Sequence, residues 1–507
     1  MGERGLFKRF RGCSLIAVRA LISYDRADDV RRLPLRSAAF VFARQPYSRE
    51  ETRVTSPPPP DDRRREASRS EPSVHSSGAG PSRVRYEVVA ISMAMAFCLY
   101  LDRVCLGEIV KSDLFLGDTR LSKEQVGGLL GAFFLTYALC QVPAGWIGDR
   151  FGTRRMLTFY ILAWSLLTAL SGWASTYFAL LVARWGVGIA QAGAYPTSSG
   201  ALRRWIEFPK RGRASAAVAL GGRLGATLAP VLTAQLILLL ADWRQVLMLY
   251  GLAGVAVAAV YWIVVRDRPE LHPRCNDAER VAIGSNADPG RPSLRELGTV
   301  VRACASSRSL WLNSLEQFCV NIGWAFLVTW LPTYLKESRG ISAQTGAMMV
   351  TGVLAMGMVG QILGGWATDA CAQWFGLRWG RVLPISCACC VASLAYIGCL
   401  TFESTWAIVA CCGVVSMMTD VANPPVWAFM QDVGGRATGS VYGWANMWGN
   451  LGASVSAVMV PWLMKQGEAG GQASVFLACA ASFLVAAIAA LGMDATRPIA
   501  TGATRGA

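Results

Sequence analysis

Histidine is almost missing from this chain, with only His75 and His272 in 507 residues. A histidine-based hydrolase or metal site has little to work with. Charge is scarce as well: Asp, Glu, Lys and Arg make up 16% of the residues, against about 25% in a soluble domain. Cysteine is plentiful, at 15 residues, but it forms no repeated C-x-x-C pair. Cys387, Cys389, Cys390, Cys411 and Cys412 lie inside apolar runs, where cysteine serves as a small packing residue. Neither a metal nor another cofactor is implied. No cluster of His, Cys or paired carboxylates falls at one depth of the apolar runs, which argues against a membrane enzyme.

What is present is hydrophobicity, at 53% of the chain. It is gathered into stretches of the roughly 20 residues that cross about 30 Å of hydrocarbon as helix. Twelve such spans are expected, about 86–108, 125–148, 155–174, 177–201, 214–240 and 244–265, then 309–335, 344–369, 381–402, 405–430, 438–464 and 472–493. The fold class expected is an all-α membrane protein with two six-helix, pseudo-symmetric halves, 83–266 and 309–495. A hydrophilic loop, 267–308, joins them, and a short tail, 496–507, follows.

Net charge is +16. About half of it lies in the first 85 residues, with 18 Lys/Arg against 10 Asp/Glu. That region holds four prolines (57–60), Arg63-Arg64-Arg65 and a serine-rich run to Ser82, without a sustained apolar period. Residues 1–82 are expected to be a disordered basic tail. A start codon placed too early is a competing reading. No fold-forming context in the region supports a nucleic-acid-binding arm. Its apolar stretch, Leu15 to Ala20, is broken by Arg19, unlike a secretory signal.

Basic residues fix the direction of the spans. Arg150, Arg154 and Arg155 follow the second span. Arg203, Arg204, Lys210, Arg211 and Arg213 follow the fourth, Arg266, Arg268 and Arg274 lie in the central loop, and Arg378 and Arg381 follow the eighth. The opposite loops are poorer in charge. Both termini are expected on the cytoplasmic side of a plasma (inner) membrane. The halves also repeat: Gly145-Trp-Ile-Gly-Asp149 and Gly365-Trp-Ala-Thr-Asp369 have the same Gly-to-Asp spacing, 220 residues apart. Such duplication puts a binding site between the halves, near mid-membrane.

The run from Gly145 through Asp149, Arg150, Gly152, Arg154 and Arg155 resembles the loop signature of the major facilitator superfamily. A narrower resemblance is to its anion:cation symporter family, which includes hexonate, hexuronate and phthalate carriers and sialin. It is carried by Arg85-Tyr86, Tyr100-Leu-Asp102-Arg103, Tyr137-Ala-Leu-Cys-Gln141-Val-Pro143 and Arg184 to Pro196. It continues through Gly222-Arg223-Leu-Gly225 to Pro230, Arg266-Asp267-Arg268-Pro269 with His272, Gln317-Phe318, and Trp330-Leu-Pro332-Thr-Tyr334-Leu335. Asn446-Met-Trp448-Gly449-Asn450 completes it. These segments cover nearly all of 83–495 in order. The resemblance implies secondary transport of a small organic anion, a sugar acid or another carboxylate, by alternating access with protons as partner. It does not specify which anion.

A charge inside the bilayer is expensive, so each is a functional hypothesis. Asp102 and Arg103 sit well inside the first span, about 100° apart, and so need not pair. The resemblance implies that Arg103 binds the substrate carboxylate and Asp102 takes up a proton. A guanidinium fork suits a carboxylate; a structural salt bridge to another helix is the competing reading. Arg184 and Gln191, seven residues apart, share a helical face. The resembling family usually has a proton-coupling Glu where this chain has Gln191, and Gln cannot titrate. Arg184 therefore serves proton coupling, substrate or helix bracing. Asp420, on a stripe with Asn423, Trp427 and Gln431, is a candidate replacement acid. Arg223, beside Gly222 and Gly225, is a candidate cavity-lining cation.

Gln317, Asn321 and Trp324 share one face, and Asn446, Asn450 and Ser454 another. Amides and an indole suit a hydroxylated acid, although bundles also use amides between helices. Tyr137 is a further candidate donor to substrate. For Asp149, Arg150, Arg154 and Asp369 the signature implies conformational switching at the cytoplasmic end. The expected partners are an anionic solute, protons and lipid, with a monomer as the working unit. An uncoupled facilitator or exchanger, which Gln191 would suit, is the alternative, and a transporter-like sensor would need an output domain.

Overall fold

The computed structural model describes residues 80–284, 296–465 and 470–499. The expected disordered tail lies outside the described residues except for 80–82, and so does the C-terminal tail beyond residue 499. Among the described residues all regular structure is helical. The principal helices are α1 (Val84–Ile109), α2 (Asp113–Thr119), α3 (Lys123–Phe151), α4 (Thr153–Ser171), α5 (Tyr177–Ala192), α6 (Ala194–Trp205), α7 (Arg211–Leu240) and α8 (Trp243–Val264). They continue as α9 (Asp277–Ile283), α10 (Leu297–Ser306), α11 (Arg308–Ala325), α12 (Leu331–Arg339), α13 (Ala343–Thr401), α14 (Thr405–Gly434), α15 (Thr438–Lys465) and α16 (Gly470–Leu491).

Eight helical segments among the described residues are long and apolar enough to cross a membrane. Three differences from the expected spans have local causes. The stretch 177–201 is divided into α5 and α6 at Gly193, which faces the Tyr160 ring so closely that a Cβ would collide with it. The stretches 344–369 and 381–402 run on as α13, where only Gly376, at φ 74°, ψ 179°, leaves helical geometry. Glycine alone adopts that backbone without strain. In the 309–335 stretch, five residues, Phe326–Trp330, form a π-helical turn between α11 and α12, just ahead of Pro332.

Small residues set the contacts between helices. Gly221 and Gly225 bring α7 against the α1 backbone at Met93 and Phe97. Gly145 on α3 and Gly439 on α15 face each other, where a Cβ on either would strike the other's backbone. Apolar packing in a membrane relies on such close approach, because lipid tails are as apolar as leucine. The outer surface is correspondingly greasy: Leu239 is 78% exposed and Trp173 70%.

The central loop is folded in part. Glu279 of α9 is fully buried and accepts from the backbone N–H groups of Val84 and Arg85 at 3.2 and 3.0 Å. An anion thus meets the N-terminus of α1, where the helix dipole favours it. His272 stacks edge-on with Trp205 and bonds the Val264 carbonyl through Nε2. Its burial lowers its pKa below the usual imidazole value.

Candidate functional site

Arg103 lies on the inner face of α1 and is held by three rings. Its guanidinium carbon sits 4.3 Å from the centroid of Tyr137, 4.9 Å from Tyr100 and 5.1 Å from Phe133. Its Nε donates to Gln191 Oε1 at 3.2 Å, and Gln191 Nε2 donates to the Leu99 carbonyl at 3.2 Å. Gln191 is fully buried. It therefore ties α5 to α1 and orients the guanidinium. Arg103 Nη2 is buried and has no hydrogen-bond partner among the described residues. None of the ion pairs among the described residues involves Arg103.

Asp102 faces the other way. It is buried, and a Cβ on Gly254 of α8 would meet its Oδ2 at 3.7 Å. It therefore looks into the α1–α4–α8 packing, beside Ser165. Arg184 is buried and lies over the Phe133 ring at 5.2 Å.

Arg223 on α7 forms an ion pair with Asp420 on α14 and lies 5.1 Å from the Trp324 ring centroid. Between the two arginines runs an aromatic bridge. Tyr195 is 6.4 Å from Tyr100 and 5.2 Å from Trp427, and Trp427 is 4.9 Å from Tyr442. The amides lie alongside. Asn446 donates to Gln141 Oε1 at 2.6 Å, across α15 and α3. Asn321 and Asn450 donate to carbonyls of their own helices, Gln317 O and Asn446 O. Gly449 adjoins the side chains of Asn321 and Gln317.

The structure thus gathers Arg103, Tyr137, Gln191, Arg223, Asp420 and Trp324 about one centre, with the α11 and α15 amides packed together beside it. Asp102 and Arg184 lie behind Arg103. Sequence reasoning missed Phe133, Tyr195 and Tyr442 as liners, and Gln141 as the partner of Asn446. It also missed Glu316, whose signal was present as a lone acid within an apolar run.

The remaining four candidates lie elsewhere. Asp149 accepts from the Gly439 and Ser440 backbone N–H groups at 2.9 Å each, and from Ser440 Oγ at 3.0 Å. Asp369 accepts from the Gly212 and Arg213 N–H groups at 2.8 and 3.1 Å and from Arg213 Nε at 2.9 Å. Each buried carboxylate therefore sits on the N-terminus of a helix distant in sequence, α15 or α7, where orphan N–H groups and the dipole favour an anion. Arg154 donates to the Trp262 carbonyl at 2.9 Å, and its backbone N–H bonds Asp267; Arg150 lies against Phe151. An unforeseen acid, Asp432, bridges Arg211 and Arg381 at 2.8 and 2.9 Å.

Apolar helices enclosing charged, aromatic and amide side chains define a multi-pass membrane transporter. The family described as Major Facilitator Superfamily matches residues 92–457, and this chain belongs to it. Among curated proteins, the probable sulfoacetate transporter SauU of Cupriavidus necator is 29% identical, covering 76% of this chain and 88% of that protein. The D-galactonate transporter of Escherichia coli O6:H1 is 31% identical, over 62% and 75%. The probable galactarate/D-glucarate transporter GudP of Escherichia coli K12 is 26% identical, over 76% and 88%. In fold the chain is similar to the proton:xylose symporter XylE, with a TM-score of 0.61 at 13% identity over 80% of this chain and 94% of that one. It is also similar to the human organic anion transporter MFSD10, at 0.59 and 17% over 80% and 99%.

Proposed function

We propose that this chain carries a small organic anion, a sugar acid or a short carboxylate or sulfonate, across the plasma (inner) membrane by proton-coupled alternating access. One observation carries the reading: Arg103 is a partly buried cation, caged by aromatic rings, with no acidic partner among the described residues. A cation largely withdrawn from water without a counter-charge is costly, and a bound anion offsets that cost. The names of the similar curated transporters agree with that cargo.

In this reading Tyr137, Gln317, Asn321, Trp324, Asn446 and Asn450 meet the polar groups of the cargo, and Gln191 holds Arg103 in place. Asp102 carries the coupling proton, with Arg184 beside it. Asp420 shares that role when its pair with Arg223 opens. Asp149 and Asp369, with Arg150 and Arg154, hold the cytoplasmic side closed by gripping helix ends, and release when the halves rock. Twelve crossings in two halves, 83–266 and 309–495, fit the lengths. Segments Gln344–Thr401 and Thr405–Met464, of 58 and 60 residues, would each run almost 90 Å as one straight helix, about three membrane thicknesses. Both termini are placed in the cytoplasm by the basic loops, and the working unit is a monomer.

Purified protein in liposomes tests this with labelled sulfoacetate and D-galactonate. An inward proton gradient should drive accumulation of one of them. Gln191, where a titrating acid is absent, favours a second reading, uncoupled exchange or facilitation. Uptake indifferent to the gradient would decide for it.

A further inference from the structure

The centre described above leaves one buried acid unused. Glu316 on α11 is fully buried. Its Oε2 accepts from Gln317 Nε2 at 3.0 Å and, more weakly, from Asn313 Nδ2 at 3.4 Å. Among the described residues its Oε1 has no partner, and neither has Asn313 Oδ1. Two acceptor oxygens on one face of α11 are thus shut away from water without a donor.

No lysine, arginine or histidine forms an ion pair with Glu316 among the described residues. The titratable groups that face it are two thiols, Cys319 on its own helix and Cys389 on α13. Of the other helices packed on α11, α16 carries no Asp, Glu, Lys, Arg or His, α15 carries none before its last residue, and α10 carries Arg302, which is exposed. Both acids of α14 are already held, Asp420 by Arg223 and Asp432 by Arg211 and Arg381.

An ionised carboxylate in such a place costs several kcal/mol or more. A proton on Oε1 removes the charge and supplies the missing donor. The amide hydrogen bonds onto Oε2 pull the other way, because they favour the ionised form. One of those amides belongs to Gln317, which also lines the proposed anion site beside Asn321 and Gly449. A cargo that takes the Gln317 amide removes a hydrogen bond from the carboxylate, and a proton then replaces it.

We propose that Glu316 is a further proton-carrying carboxyl group, linked to the bound anion through the side-chain amide of Gln317. This rests on the reading of the chain as an anion carrier and deepens it. It places an acid on α11 to answer the absence of one at position 191. The proton enters at Oε1 from the outer water when anion binds and leaves to the cytoplasmic water when anion departs. No other bond is made or broken.

The test is Glu316→Gln in liposomes, with labelled D-galactonate and sulfoacetate as probes. Wild type should accumulate a probe under an inward proton gradient. E316Q should keep probe exchange between equal-pH compartments while accumulation falls at least about fivefold, the low end of ordinary coupling between sites. Accumulation by E316Q at the wild-type level overturns the proposal, as does accumulation driven by a sodium gradient at equal pH. If E316Q is inactive in both assays, Glu316→Asp decides: restored accumulation supports a titrating role, and continued inactivity assigns a structural one. An infrared measurement needs no cargo. Lowering the pH of the cargo-free protein from neutral should raise a protonated-carboxyl stretch that E316Q lacks; this supports the proposal even if neither probe is carried, a result that would count against the cargo reading alone. Failure of wild type to gain a stretch that E316Q lacks overturns the proposal.

Discussion

Arg103 and Arg223 are the same residue type facing the same centre, yet the protein treats them oppositely. Arg223 has its counter-charge built in, Asp420 on α14. Among the described residues Arg103 has rings and an amide but no acid. A paired cation is electrically finished and holds two helices together. An uncompensated cation in a low-dielectric site is an unfilled requirement, which a mobile anion can meet at each turnover. The difference teaches that counting intramembrane charges is not enough, because their partners decide which charge is available to a cargo.

Removing the uncompensated charge should have the largest effect. Arg103→Gln is expected to lower carboxylate uptake at least about 30-fold, since losing one partner of a charge pair costs about 2–5 kcal/mol and about 1.4 kcal/mol is tenfold; initial uptake rates in liposomes measure it. Unchanged uptake would end the assignment of Arg103 to the cargo. Arg223→Gln should act first on stability, by about 3–5 kcal/mol, because it strands Asp420 as an unpaired buried charge. The double variant Arg223→Gln/Asp420→Asn should regain most of that loss in a detergent thermal-unfolding assay. A single and a double variant with equal loss would show that the pair is not what holds α7 to α14.

The smallest effect concerns the matched helix-end contacts. Asp149→Ala and Asp369→Ala should each cost about 1 kcal/mol, the usual worth of a cap. Asp369→Ala should cost slightly more, because it also frees Arg213. Thermal unfolding reads the size. Accessibility of a cysteine introduced at Ser440 should rise in Asp149→Ala if the contact keeps that end closed.

Much of this was legible along the chain. Composition and apolar runs pointed to a helical membrane protein, and the Gly145–Asp149 and Gly365–Asp369 echoes pointed to paired devices. The intramembrane charges marked Asp102, Arg103, Arg184, Arg223 and Asp420. What could not be read was partnership. Nothing in the spacing says that Asn446 meets Gln141, or that Tyr195 and Tyr442 join the ring system, because these contacts lie between helices remote in sequence. Glu316 was a different omission: it stands in the sequence as a lone acid within an apolar run, but only the packed helices show how completely it is buried.

The sequence by itself determined the class of protein, since length and hydropathy decide what can cross a bilayer and buried charge is too costly to be incidental. It also determined which side chains could carry chemistry. The tertiary structure alone decided which charges are already spent on one another. Electrostatic energy depends on distance and burial, and both are set only when helices far apart in the chain come together.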